Sequence, residues 1–207
     1  MYITHDLPQH SGVTPRRMHW FVACNVAVAV QLAHADAPRT AEPRVTSPRL
    51  DAPADVPLGN RPNQASPPAR PGAADAEAKA RILFEAIVRD DPQHAASVFF
   101  PKDAFLLVKD MRDPGRYFDR LQRRFESDVH VLHRRLQDPT TAEFVRFDLA
   151  KRGGFVRERE EGNRLPYWAA RHSFLHFRDR GKLQHFEVRV LITWDDRWFV
   201  IHLNEFR

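Results

Sequence analysis

The sequence predicts an α+β domain in which helices come first and a curved antiparallel meander follows. Two observations predict it. From Asp75 to Gln137 apolar residues recur every three or four positions, the period of an amphipathic helix, and after Pro139 they alternate, the period of a strand. Short polar turns separate the alternating runs, so neighbouring strands pair antiparallel and the helices fall to one side of them. Strands this long must twist and curl around the helices.

The elements follow in order. Ala76 to Arg89 reads as a helix with Ile82, Leu83, Ala86 and Ile87 on one face. Asp91-Pro92 is a helix start, with Asp as the cap and Pro at the first helical position, opening a short helix that runs to about Val98. Phe105 to Val108 is a short apolar run, strand or half-turn. Asp113-Pro114 repeats the capping signal and opens the longest helix, to about Gln137, with Phe118, Leu121, Phe125, Val129, Leu132 and Leu136 as its core stripe. Val145, Phe147 and Leu149 share one face of a first strand, which Lys151-Arg152-Gly153-Gly154 turns. Phe155 to Glu161 reads as a charged edge strand ended by Gly162-Asn163. Tyr167 to Arg178 and Leu183 to Trp194 are long strands joined by Asp179-Arg180-Gly181-Lys182, and Asp195-Asp196 turns tightly into Arg197 to Leu203.

The N-terminus reads as an export signal. Arg16 and Arg17 precede a predominantly apolar stretch from Trp20 to Leu32, and Ala33-His34-Ala35 has the small-x-small form of a cleavage site. A lipobox around Cys24 leaves no room for an apolar region, and Met18-His19-Trp20 continues a twin-arginine pattern poorly. A start at Met18 instead of Met1 stays open. From Asp36 to Ala73 proline recurs, at Pro38, Pro43, Pro48 and Pro53 and then more densely, with few large apolar groups to bury. Such a segment cannot offset its own ordering entropy and is expected to be an extended, disordered spacer. The organisation expected is a signal peptide over 1–35, a proline-rich disordered linker over 36–73 and one α+β domain over 74–207. The mature chain is then periplasmic or extracellular and, once processed, carries no membrane span.

Composition narrows the function classes. The chain has 207 residues and a single cysteine, Cys24, so it contains no intramolecular disulfide framework and no cysteine-rich zinc site. Lysine and arginine total 32 against 27 acidic residues, and arginine supplies nearly all of the excess. No stripe or fingerprint of a specific nucleic-acid module accompanies that charge. A serine or cysteine nucleophile arrangement, a phosphate-cradling glycine loop and a paired-histidine zinc helix are all missing from the sequence.

The order of elements resembles the NTF2-like superfamily, the cone-shaped fold shared with ketosteroid-isomerase-like and polyketide-cyclase-like proteins. Ala80 to Asp91 followed by Ala95 to Ala104, with its Phe100-Pro101-Lys102-Asp103-Ala104 corner, is similar to that family's first helices. Gly115-Arg116-Tyr117-Phe118 is similar to the entry into its third helix, and Leu191 to Ile201 to its closing hairpin. The resemblance covers about 130 residues and implies an N-terminal helical layer wrapped by a curved sheet. It implies no site residues, because no catalytic motif of the isomerases or cyclases matches a position here.

Candidate chemistry comes from three places. Asp128, His130 and His133 lie on different sides of the long helix and do not converge, so no metal ligands are assigned and no cofactor is expected. The same helix carries Arg116, Arg120, Arg123, Arg124, Arg134 and Arg135, a solvated face or a polyanion surface. His172 and His176 alternate with Phe174 on one strand face, where they could serve as a general base or ligand contacts, with Glu187 and Arg189 across from them. Asn163-Arg164-Leu165-Pro166-Tyr167-Trp168 sets a cation and two large aromatics at a strand entrance, the composition of a pocket rim.

The expected ligand-binding set is therefore Arg164, Tyr167, Trp168, His172 and His176. The first functional reading is a non-enzymatic, tethered module that binds a small apolar ligand or an envelope protein, with a homodimer through the sheet as a further expectation. The alternatives are a cofactor-free isomerase or cyclase with His172 or His176 as base and Tyr167 as donor, and a polyanion-binding surface.

Overall fold

The computed structural model describes residues 55–203. The expected signal peptide, its cleavage site and the first part of the proline-rich segment lie outside the described residues. Three helices, α1 (Ala73–Arg89), α2 (Lys102–Val108) and α3 (Pro114–His133), precede five strands, β1 (Glu143–Asp148), β2 (Gly153–Val156), β3 (Tyr167–Asp179), β4 (Lys182–Trp194) and β5 (Arg197–His202). The fold class is α+β.

Local chemistry sets the helix ends. Asp90 takes a left-handed conformation at the end of α1, and its N–H reaches back to the Ala86 and Ile87 carbonyls. The Asp113 carboxylate accepts from the Arg116 N–H at 3.0 Å and starts α3. The stripe of α3 packs as its spacing requires, with Phe118, Leu121, Phe125, Val129 and Leu132 buried. Asp91 caps only a 3₁₀ turn, Pro92–Ala95. The Phe105 to Val108 run is helical: Ala104, Phe105 and Val108 are buried while Leu106 faces out. Four apolar residues are too few for a period to show in sequence, and Pro101 supplies the extended entry that starts this helix.

The sheet is antiparallel throughout. β3 and β4 form its centre, β5 lies beyond β4, and β1 and β2 share the other edge of β3. β1 pairs with Phe174 to Arg178, while β2 pairs with Tyr167 to Ala170. Gly153 and Gly154 are thus strand residues and not a turn. Gly153 has φ +124, and a Cβ there would lie 2.3 Å from the Ala169 carbonyl oxygen, so only glycine fits. The edge strand is correspondingly short, because residues 157–162 leave the sheet as a loop. Both hairpin loops have two left-handed central residues, Arg180-Gly181 and Asp195-Asp196, the mirror-image turn that matches strand twist.

Between the two partners of β3 sits His172, at φ 64. A non-glycine residue in this region costs roughly 1–2 kcal/mol, and a β-branched one is strongly disfavoured. The Ser173 hydroxyl accepts from the Ala150 N–H at 3.0 Å and so satisfies part of the interrupted ladder. His172→Gly is expected to leave stability within about 1 kcal/mol of the parent, since relief of backbone strain offsets the lost side-chain contacts. His172→Val should fall below His172→Gly by at least about 1 kcal/mol. Urea unfolding of the two variants side by side checks this, and equal midpoints would refute the strain.

The helices cover one face of the sheet. Phe84 from α1 meets Phe144 and Phe177, Phe177 packs on Phe186 at 4.4 Å between centroids, and Phe99 contacts both Phe118 and Phe125. The segment before α2 also closes the free edge of β5: Val200 N–H donates to the Val98 carbonyl and Phe100 N–H to the Val200 carbonyl.

One end of the opposite face is covered by the chain that precedes α1, which corrects the expected extent of the disordered linker. Residues 55–72 are packed. Val56 is buried, and the buried Asn60 amide donates to the Pro166 and Thr193 carbonyls while its oxygen accepts from the Asp195 N–H. The indole of Trp168 donates to the Pro68 carbonyl, and that of Trp198 to the Pro71 and Gly72 carbonyls. Arg70 lies over the Trp198 ring and donates to the Ala150 carbonyl. Proline removes backbone donors but leaves its carbonyl free to accept. Two tryptophans on the sheet supply the apolar surface and the donors that this segment lacks by itself.

A candidate ligand-binding cleft

Among the described residues, two cavities beside the helices stand out. The larger, about 370 Å³, lies between the Pro92–Ala95 turn and α3 and is walled by Phe99, Phe100, Phe118, Phe125 and Phe199. The smaller, about 230 Å³, lies between α2, the start of α3 and the ends of β3, β4 and β5. Only the smaller of the two gathers ionisable groups around a buried hydroxyl, that of Tyr167, over an apolar floor, and convergent polar groups in an apolar concavity mark a ligand site.

Its floor and walls are Phe105, Tyr117, Leu121, Val190, Ile192 and Ile201. Tyr167 is nearly inaccessible to solvent, and its hydroxyl donates to the Glu161 carboxylate at 3.0 Å and accepts from Lys109 Nζ at 3.3 Å. Arg171, two strand steps along the same face of β3, donates through Nη2 to the other Glu161 oxygen. Lys109 also donates to the Glu161 carbonyl. His202 closes the cleft from β5.

Burial and charge shape the proton affinities. Desolvation, then the Glu161 carboxylate, push the Tyr167 hydroxyl well above its ordinary value, so it stays a donor. Burial lowers the Lys109 ammonium, opposed by Glu161 and reinforced by Arg171. Burial pushes the His202 imidazole down to about 4, helped by the positive charges of Arg124, Lys109, Arg171 and Arg189. The cleft is therefore a cationic environment with a neutral histidine at its edge.

A folded loop holds these groups in place. The buried Asn163 amide donates to the Arg157 and Leu165 carbonyls, and its oxygen accepts from the Glu161 N–H. Asp110 N–H donates to the Gly162 carbonyl and Arg164 N–H to the Val108 carbonyl, which ties this loop to the end of α2.

The five residues expected to bind ligand do not form one site. Tyr167 is in the cleft. Arg164 is on the outside of the loop, bonded to the Lys109 carbonyl and 3.6 Å from Asp110. Trp168 is on the opposite face of the sheet under Pro68 and against Phe155. His172 and His176 share that opposite face, paired with Glu187 and with Asp148, the latter at 2.8 Å. The enzyme reading that joined these histidines to Tyr167 is corrected on this point, because strand alternation puts an odd and an even residue on opposite sides. His130 bonds Asp90 at 2.7 Å and His133 bonds the Ile87 carbonyl, so both anchor α3 to the end of α1. Among the described residues no three histidine, cysteine or acidic side chains converge as metal ligands, and no helix is long and apolar enough to cross a membrane.

Lys109, Glu161, Arg171 and His202 are the cleft residues that sequence reasoning missed. Arg171 carried a usable signal, since it shares the Tyr167 face. Lys109 and His202 carried none, because only the packing of loops and strand ends brings them there. Comparison with protein families, with curated proteins and with solved structures finds no match to this chain.

Proposed function

We propose that this chain is an exported, non-enzymatic binding module of the NTF2-like cone type, and that the cleft between the concave sheet and α2–α3 holds a small, largely apolar ligand. The observation that carries the reading is the convergence of Lys109, Tyr167 and Arg171 over an apolar floor in a cavity of about 230 Å³. That volume is below the roughly 300–1,000 Å³ of sites for drug-sized ligands, which points to a compact molecule. Export rests on the N-terminal Arg16-Arg17, apolar stretch and Ala33-His34-Ala35. Binding needs no catalytic base, and the outer-face position of His172 and His176 takes the proposed base away from the cleft.

Calorimetric titration with 1-hexanol, a compact neutral apolar molecule, tests the cleft. The parent should bind it saturably, and the affinity should weaken at least about tenfold in Val190→Phe, whose ring enters the cavity. A variant that folds like the parent yet binds hexanol unchanged would move the site elsewhere.

A further inference from the structure

Glu161 occupies the polar end of the cleft in an unusual way. One carboxylate oxygen accepts from the Tyr167 hydroxyl and the other from the Arg171 guanidinium, with Lys109 beside them. This carboxylate does not belong to the sheet. It comes from the 157–162 loop, its side chain is 41% exposed, and its backbone position is held independently by Asn163. Tyr167 is buried in the sheet, and Arg171, 34% exposed at its side chain, comes from the same strand. Donors rooted in one strand are thus filled by an acceptor from a loop.

Resting on the cleft reading above, we propose that Tyr167, Arg171 and Lys109 form a receptor for the carboxylate of a small aliphatic monocarboxylate, and that Glu161 is its built-in competitor. The geometry favours a carboxylate, because the present occupant is one: it gives one oxygen to the Tyr167 hydroxyl and the other to a charge-assisted bond from the Arg171 guanidinium. The hydrocarbon chain of the ligand lies along Leu121, Val190, Ile192 and Ile201. Removing Glu161 vacates the donors and leaves a cationic surrounding, to which Arg124 and Arg189 also contribute at His202. Exposed ion pairs such as Arg171–Glu161 contribute little to stability, so a ligand that offers the same carboxylate plus buried hydrocarbon displaces the side chain readily.

The test is calorimetric titration of hexanoate and of 1-hexanol into the parent, Glu161→Ala and Glu161→Gln. Hexanoate should bind at least about tenfold tighter to Glu161→Ala than to the parent, a gain typical of freeing a charge-assisted hydrogen bond. Glu161→Gln should gain less, because its amide still accepts from Tyr167. Arg171→Met, added to Glu161→Ala, should abolish the gain, while hexanol should bind all four proteins equally. Hexanoate that binds no tighter to either Glu161 variant overturns the proposal. If hexanol still binds and Val190→Phe blocks it, only the carboxylate assignment falls. If neither compound binds any of the proteins, the cleft reading falls with it.

Discussion

A chain that begins at Ala73 is expected to melt roughly 10–20 °C below one that begins at Asp55, taking about 2–4 °C per kcal/mol for a domain of this size. The two chains share α1 to α3 and every strand and differ only in residues 55–72. Loss of that segment exposes the pocket of Val56, worth about 1.5–3 kcal/mol for a buried valine. It also leaves the Pro166 and Thr193 carbonyls and the Asp195 N–H without Asn60, and the Trp168 and Trp198 indoles without their carbonyl acceptors. A buried polar group left unpaired costs about 1–3 kcal/mol, although water reaches some of these once the strap is gone. A net loss on the order of 5 kcal/mol is a large part of the 5–15 kcal/mol that holds a domain together. Thermal melts followed by tryptophan fluorescence would show it directly, because two of the three tryptophans in these chains, Trp168 and Trp198, lie under the strap. Equal melting temperatures would mean that the segment rests on the sheet without stabilising it.

Acid should weaken the fold through His202. Its imidazole is held near 4 in the folded chain against about 6.5 when unfolded, so the unfolded state binds the extra proton first. The stability that follows from a neutral His202 is complete above about pH 7, is lost as the pH falls from 6.5 toward 4, and changes no further below that. A depression of this size corresponds to at most about 3 kcal/mol, and solvent screening at the cleft mouth reduces it. The pKa values of Asp90 and Asp148 are lowered by their hydrogen bonds to His130 and Arg146, and that of Asp138 by Thr140. All three act in the same direction, at lower pH. Urea unfolding of the parent and of His202→Gln at pH 7 and pH 4.5 separates the contributions. The parent should lose distinctly more stability than the variant over that interval. Identical losses would place the acid sensitivity in the carboxylates alone.

The strap and the cleft mark where sequence reasoning stops. Proline-rich composition says that residues 55–72 have too few apolar side chains to offset their ordering entropy by themselves. It does not say that Trp168 and Trp198, a hundred residues or more further along, present donors at the spacing of the Pro68 and Pro71 carbonyls. Likewise Tyr167 stands out as a large aromatic at a strand start, but its neighbours in space are Lys109 from the end of α2 and Glu161 from a loop. His172 and His176 looked like a site because they alternate. Alternation fixes a shared face without saying which face the helices cover, and here theirs is the other one.

By itself the sequence determined the α+β class, the Asp-Pro start of α3, the Phe118-to-Leu132 stripe and the Asp195-Asp196 turn. Each depends on residues within a few positions of one another, through capping, the 3.6-residue period or the handedness of a two-residue loop. Only the tertiary structure decided the left-handed kink at His172, the packed strap and the Lys109–Glu161–Tyr167–Arg171 cluster. These depend on which face of the sheet the helices cover and on where loop ends meet, and that is an outcome of global packing that no local period encodes.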